Sequence, residues 1–192
     1  MTSKRNFYWE IRSIANSTIE EMNELDKQAK SLDDKIKSKR YTPDVISKEL
    51  MPELQGIKRE INKRKEEGCK AIRIRSDEYI AELRKADELN PDNLTDDIKL
   101  LQSGVALSAD DLEMLFDRNE GNSTMQKLIS DFAKQHGRDI QRYYRPTHAD
   151  LIISVNTVPE AMQTVLNWYN KPSVYEKLVG EGSQFDQYFC NE

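Results

Sequence analysis

The sequence predicts an all-α protein: a long antiparallel helical hairpin, coiled-coil-like, followed by a small bundle of short helices. Three observations carry that expectation. Apolar or small residues recur at alternating spacings of four and three from Ile11 through Ala15, Thr18, Met22, Leu25, Ala29 and Leu32 to Ile36, the mark of a helix with one narrow seam. A similar series resumes after the turn signal "SKRYTPD". Past "ELNPDNLTDD" the chain breaks into short segments, each with its own capping residues. The boundary between a hairpin arm (1–90) and a short-helix bundle with an aromatic tail (91–192) is therefore placed at Asn90-Pro91.

The second long helix begins where Thr42 can cap it and Pro43 fits its first turn, a position at which the missing N–H costs nothing. Its apolar series includes Ile46, Leu50, Leu54, Ile57, Ile61, Gly68, Ile72, Tyr79 and Leu83, and it is expected to end near Leu89. At about 1.5 Å per residue that is an arm of about 70 Å. Pro52 lies inside it and predicts a kink. Folding the pair about Tyr41-Thr42 sets Ile36 against Ile46, Leu32 against Leu50, Ala29 against Leu54 and Leu25 against Ile57. Further along, Met22 meets Ile61, Ala15 meets Gly68 and Ile11 meets Ile72, and the numbers of each pair total 82 or 83. A glycine opposite an alanine lets the helix axes approach, and the seam is expected to be weakest near Thr18 and Arg64.

In the second half, "LTDDIKLLQSG" reads as a helix capped by Thr95 and ended by Gly104. "LSADDLEMLFDRN" carries a capping box of Ser108 and Asp111, with Leu112, Leu115 and Phe116 on its apolar face. "NSTMQKLISDFAKQHG" starts at Asn122-Ser123 and buries Met125, Leu128, Ile129 and Phe132. "RPTHADLIISVN" reads as a further short helix, while the β-prone run at 151–155 leaves a short strand open. "TVPEAMQTVLNWYN" is a helix, and the aromatic tail is expected to pack back on the body.

Composition limits the function. Charged residues make up 33% of the chain and apolar ones 37%, a balance that suits long helices better than a deep core. No run of about 20 apolar residues occurs, so no membrane span is expected. The opening "MTSKRNFYWEIRS" lacks the apolar core of a secretory signal. Cys69 and Cys190 read as reduced thiols of a cytoplasmic protein. The net charge of −5 is uneven, because residues 1–90 carry 20 Lys/Arg and 18 Asp/Glu whereas 91–192 carry 9 and 16.

"DRNEGNSTMQKL" has the look of a calcium loop but fails as one. Counted from Asp117, the first and third positions (Asp117, Asn119) suit a cation. The fifth is Gly121, the sixth is Asn122 instead of glycine, and the twelfth is Leu128 instead of a bidentate glutamate. It reads as a joint between two helices. His136 and His148 belong to no metal or nucleophile motif, and there is no glycine-rich phosphate loop. No cofactor, metal site or catalytic residue is expected, and the protein is read as a non-enzyme.

Two charged stretches remain. "KREINKRKEEGCKAIRIR" (58–75) holds eight Lys/Arg, Lys58, Arg59, Lys63 and Arg64 among them, against three Glu. In the hairpin it faces Glu10, Glu20, Glu21 and Glu24, which would bring Glu20 near Lys63 and Glu24 near Arg59 as flanking ion pairs. "KQHGRDIQRYYR" sets Lys134, Arg138, Arg142 and Arg145 beside Tyr143 and Tyr144, a mixture suited to nucleic acid. These two stretches support an alternative reading, a nucleic-acid-binding or host-interaction protein using basic residues 58–75 or 134–145.

The order of a helix ending in "LLQSG", an "LSADDLEML" helix, an "NSTM" cap and an "ISDFAKQHG" helix resembles small helical proteins encoded among the head and structural genes of tailed bacteriophages and prophages of Gram-positive bacteria. The resemblance implies a virion-assembly or capsid-associated role and carries over no catalytic residue. The expectation is therefore a helical interaction protein, in the host cytoplasm or virion-associated, whose partners are copies of itself or capsid-type proteins. Tyr143, Tyr144, Trp168 and Tyr169 are its expected contact residues.

Overall fold

The computed structural model describes residues 3–190. The chain is all-α, with 76% of it helical, and no strand occurs among the described residues. No helix among them is long and apolar enough to cross a membrane. Two compact units form: one joins the chain up to Ile80 with the chain from Ser154 onward, and the other is Ala81–Ile153. This differs from a division at residues 90 and 91, because the C-terminal helices cluster with the hairpin. The charge switch marks the start of the short helices and says nothing of where the later ones pack.

In the first unit, helix α1 (Lys4–Lys37) starts at Ser3, whose side chain accepts from the Asn6 N–H, and ends with Ser38. After the turn, Thr42 caps α2 (Pro43–Val45) by accepting from the Val45 N–H, with Pro43 in the first turn. A π-helical turn, Ile46–Leu50, joins it to α3 (Met51–Ala86). Pro52, where the sequence predicts a kink, follows directly on this π-helical turn. Proline has no N–H to give the carbonyl four residues back, and the chain widens just before it, so that the Met51 N–H reaches the Ile46 carbonyl.

Helix α1 packs antiparallel on the segment that begins at Pro43. The seam residues Ile11, Ala15, Met22, Ala29, Leu32, Leu54, Gly68 and Ile72 are buried, and Leu25, Ile36, Ile46, Leu50, Ile57 and Ile61 are half-buried. Ala29, Leu32 and Leu54 form one cluster, flanked by Ile36, Leu50 and Ile57.

The register, however, is not the expected one. Gly68 faces Thr18, not Ala15. Glu21 pairs with Arg64 at 3.6 Å, Glu10 with Arg75 at 2.5 Å, and Phe7 stacks on Tyr79 at 4.4 Å. The numbers of these facing pairs total 85 or 86, and the flanking pairs expected between Glu20 and Lys63 and between Glu24 and Arg59 are not formed. A seam that alternates three and four is nearly unchanged by a slide of one step, so its periodicity cannot choose between the two alignments. The ends choose. In the observed alignment both Phe7 and Tyr79 are buried, each an aromatic ring worth up to about 4 kcal/mol of burial. Exposed ion pairs, at about 0–1 kcal/mol, cannot compete with that.

Helix α7 (Ala149–Asn167) is continuous through Pro159, so the run at 151–155 is helical and no new helix starts at 157–159. The proline leaves the Val155 carbonyl without its usual donor, yet Val155, Val158, Met162, Val165 and Leu166 supply a buried face that holds the helix together. Helices α8 (Pro172–Val179) and α9 (Gln184–Cys190) follow, and α9 packs against α1. Phe189 stacks on Tyr8 at 5.3 Å and lies 5.8 Å from Phe7, so the aromatic tail does pack back. Below these rings the Tyr8 hydroxyl donates to the Val179 carbonyl at 3.2 Å, and Arg12 meets Asp186 at 3.5 Å. Burial pushes the Tyr8 phenol up to about 12, a hydrogen bond from Ser183 opposing it.

The second unit holds α4 (Ile98–Gln102), α5 (Ala109–Arg118) and α6 (Ser123–Gln135). Helix α4 starts later than expected and is not capped by Thr95, whose hydroxyl instead donates to the Asn119 side chain at 3.1 Å. The capping box of Ser108 and Asp111 on α5 is formed in both directions. Leu112, Leu115, Phe116, Ile129, Ala133 and Ile140 make the core, with Leu101, Leu107, Phe132 and Tyr144 packed on it. The α5–α6 joint is built as expected: Gly121 takes φ +79° and the Asn122 side chain accepts from the Met125 N–H.

Candidate functional site

The residues expected to make contacts fall in different environments. In the second unit Tyr144 packs on the core, and its backbone N–H donates to the Ser130 hydroxyl at 2.7 Å. The hydroxyl of Tyr143 donates to the Arg138 carbonyl, and Lys134 lies over its ring. In the first unit burial raises the Tyr169 phenol, while Trp168 is 48% exposed with Lys171 over its ring at 4.1 Å. Of the four, Trp168 presents the largest free apolar surface.

A better-formed surface lies in the second unit and escaped the sequence reading. The C-terminus of α4, the loop after it and the end of α6 enclose a groove of about 480 Å³. Leu101, Val105, Ala106, Leu107 and Phe132 line it, with Gln102, Gln135, His136 and Arg138 around them. Gly104, at φ +70°, turns the chain out of α4 and so sets Val105 at the edge, 58% exposed. Leu101, Leu107 and Phe132 are anchored on the core, which gives the groove a fixed floor. His136 stacks on Phe132 at 4.0 Å, and its Nδ1 lies 3.0 Å from the Phe132 carbonyl. The sequence signal was there, an apolar "VAL" directly after a helix-ending glycine, but it reads equally well as a buried connection.

The cations divide as sharply as the aromatics. In the second unit Arg142 pairs with Asp117 at 2.6 Å and Arg145 pairs with Asp150, so half of the proposed basic set there is neutralised. In the first unit Arg64 is held by Glu21, Glu60 and Glu67, and Arg75 by Glu10 and Glu78. Lys63 reaches Glu60, at 4.0 Å, and Arg59 donates to the Gln55 carbonyl. Lys58, Lys65, Lys70 and Arg73 have no carboxylate within ion-pair distance among the described residues. Lys65, Lys70 and Arg73 line a second groove, of about 430 Å³, whose other wall is α7 with Pro159, Gln163 and Asn167. Cys69 lies in this groove, and burial raises its thiol despite Lys65 and Arg73 nearby, which keeps it protonated. Both cysteines are free thiols.

The fold thus defines an all-α protein built on an antiparallel helical hairpin, with an apolar groove in one unit and a cationic groove in the other. No family model matches the chain, and no curated protein and no solved structure is significantly similar to it.

Proposed function

We propose that the protein is a non-enzymatic helical interaction protein that holds an apolar side chain of a partner protein in the groove beside Val105. The observation that carries this reading is the groove itself: apolar side chains left open to solvent on a floor anchored in the core. Its volume is that of sites that accept a ligand, roughly 300–1,000 Å³. Its ring of amides, His136 and Arg138 is the polar rim that surrounds apolar anchors at protein interfaces. Both histidines are committed to structure, His136 on Phe132 and His148 on Asp87 at 2.9 Å, which favours binding over proton transfer. The resemblance over residues 96–137, which contain the whole α4–α6 region, supports a structural or assembly factor of a tailed bacteriophage, with capsid-type proteins or a second copy as partner.

Mass spectrometry of proteins co-purified from the native host tests this reading. Val105→Asp places a charge at the exposed edge without touching the core and should abolish recovery of the partner. Trp168→Ala, on the other unit, should leave recovery intact. An unchanged set of proteins with Val105→Asp overturns the proposal.

A further inference from the structure

We infer that the groove between α3 and α7 in the first unit binds the phosphodiester backbone of a nucleic acid without reading its sequence. This is independent of the groove beside Val105. Three cations, Lys65, Lys70 and Arg73, stand on one wall with no carboxylate partner, and Glu66 is the single acidic side chain among the lining residues. The same helix shows what a structural cation looks like, since Arg64 and Arg75 are each met by glutamates on α1 as well as on their own turns. Positive charge at the groove is therefore left available to a ligand.

The arrangement selects the ligand class. At about 1.5 Å per residue, Lys65 and Arg73 are spaced about 12 Å apart along the axis, and Lys58 extends the same face two turns further. Cations strung along a line suit a chain of repeated negative charges better than one phosphate group. The opposite wall offers the side-chain amides of Gln163 and Asn167, one helical turn apart, which can donate to phosphate oxygens. No aromatic ring is among the described residues that line the groove, so bases find nothing there to stack on and sequence is not read. An acidic protein segment would need apolar anchors for affinity, and the groove supplies little beyond Pro159 and Cys69. A phosphodiester chain needs only the charges.

Fluorescence anisotropy of the full chain with a labelled mixed-sequence oligonucleotide, single-stranded and as a duplex, tests the inference at 50, 100 and 200 mM salt. Three phosphate contacts predict a slope of log affinity on log salt of about −2 for the strand and about −2.7 for the duplex. Between 50 and 200 mM, affinity should fall roughly 20-fold for the strand and roughly 40-fold for the duplex. The two forms tell whether the groove takes a strand or the ridge of a duplex, and either supports a phosphodiester ligand. Lys65→Gln/Lys70→Gln/Arg73→Gln should lose the binding while keeping wild-type helicity, and Val105→Asp should not affect it. No binding at 50 mM salt overturns the inference, as does a triple variant that binds like wild type. Displacement of the oligonucleotide by poly-glutamate as readily as by unlabelled DNA also overturns it, in favour of an acidic protein partner.

Discussion

Gly68→Ala is the substitution that most directly tests the hairpin register. A methyl group built on Gly68 lies 2.6 Å from Thr18 Oγ1, 2.7 Å from its Cγ2 and 3.1 Å from its Cβ. Ordinary carbon contacts sit at about 3.5–4.0 Å, so the helices must part locally by about 1 Å. Thr18 cannot turn away, because both of its branches are in the way and its hydroxyl donates to the Ile14 carbonyl at 2.8 Å. Alanine is favoured over glycine inside a helix by about 1 kcal/mol, whereas overpacking a tight contact costs about 1–3 kcal/mol. The net expectation is a loss of about 1 kcal/mol. Thr18→Ala removes both clashing branches, and in its background Gly68→Ala should become neutral or stabilising, a coupling of about 1–2 kcal/mol. Urea denaturation of the four members of this cycle, read as midpoints at constant slope, measures it. A higher midpoint for Gly68→Ala alone, additive with Thr18→Ala, refutes the register, because it would mean that Gly68 is a free surface position.

Two further predictions concern protonation. The Tyr8 phenol is raised from 10.0 to about 12 in the folded protein, so its neutral form contributes stability that is fully present below about pH 10 and is lost as pH rises through about 12. The stability difference between wild type and Tyr8→Phe should therefore shrink over that window in denaturant titrations, and a constant difference would contradict the burial of the phenol. On α5, hydrogen bonds from the Ser108 hydroxyl and backbone N–H hold the Asp111 carboxyl below its ordinary value. Its contribution is present above the ordinary carboxylate range and lost as pH falls through the lowered value. Ser108→Ala should raise the Asp111 titration midpoint seen by NMR, and an unmoved midpoint would show that the box does not form.

Local chemistry was legible where one residue decides a local outcome. Thr42-Pro43 starts its helix, Ser108 and Asp111 close their box, and Gly121-Asn122 joins two helices, because caps and positive-φ positions depend on residues within one turn. The seam itself was legible for the same reason, as a 3-4 spacing records which face is buried. The alignment of the two helices was not. It depends on Phe7 finding Tyr79 and on Thr18 finding Gly68, contacts between residues far apart in the chain that no local pattern encodes. Pro159 misled in the opposite sense, because a helix start and a tolerated interior proline look alike in sequence. Only the buried face that runs past it, from Val155 through Val158 to Met162, shows that the helix is continuous. Each groove showed one wall in the sequence, the 58–75 cations and the apolar run at 105–107, but not the other, because each takes its walls from segments distant in the chain.

The cations of α3 bear on why one hairpin carries two kinds of charged flank. The first unit holds 20 Lys/Arg and 20 Asp/Glu, so it has no excess to explain by net charge alone. What is uneven is their placement. Glutamates of α1 meet Arg64 and Arg75; the half-exposed Glu21–Arg64 pair is worth at most about 1 kcal/mol, whereas Arg75 also lies over the rings of Phe7 and Tyr79. Lys58, Lys65, Lys70 and Arg73 take no part in that pairing. Solubility is served by interspersed signs and does not call for three cations against the one carboxylate of Glu66 along a groove. Desolvation does not hold these side chains in place either, because Lys58, Lys70 and Arg73 are exposed. Folding accounts for the paired flank; the bare one is the surface that the proposed phosphodiester ligand would meet along α3.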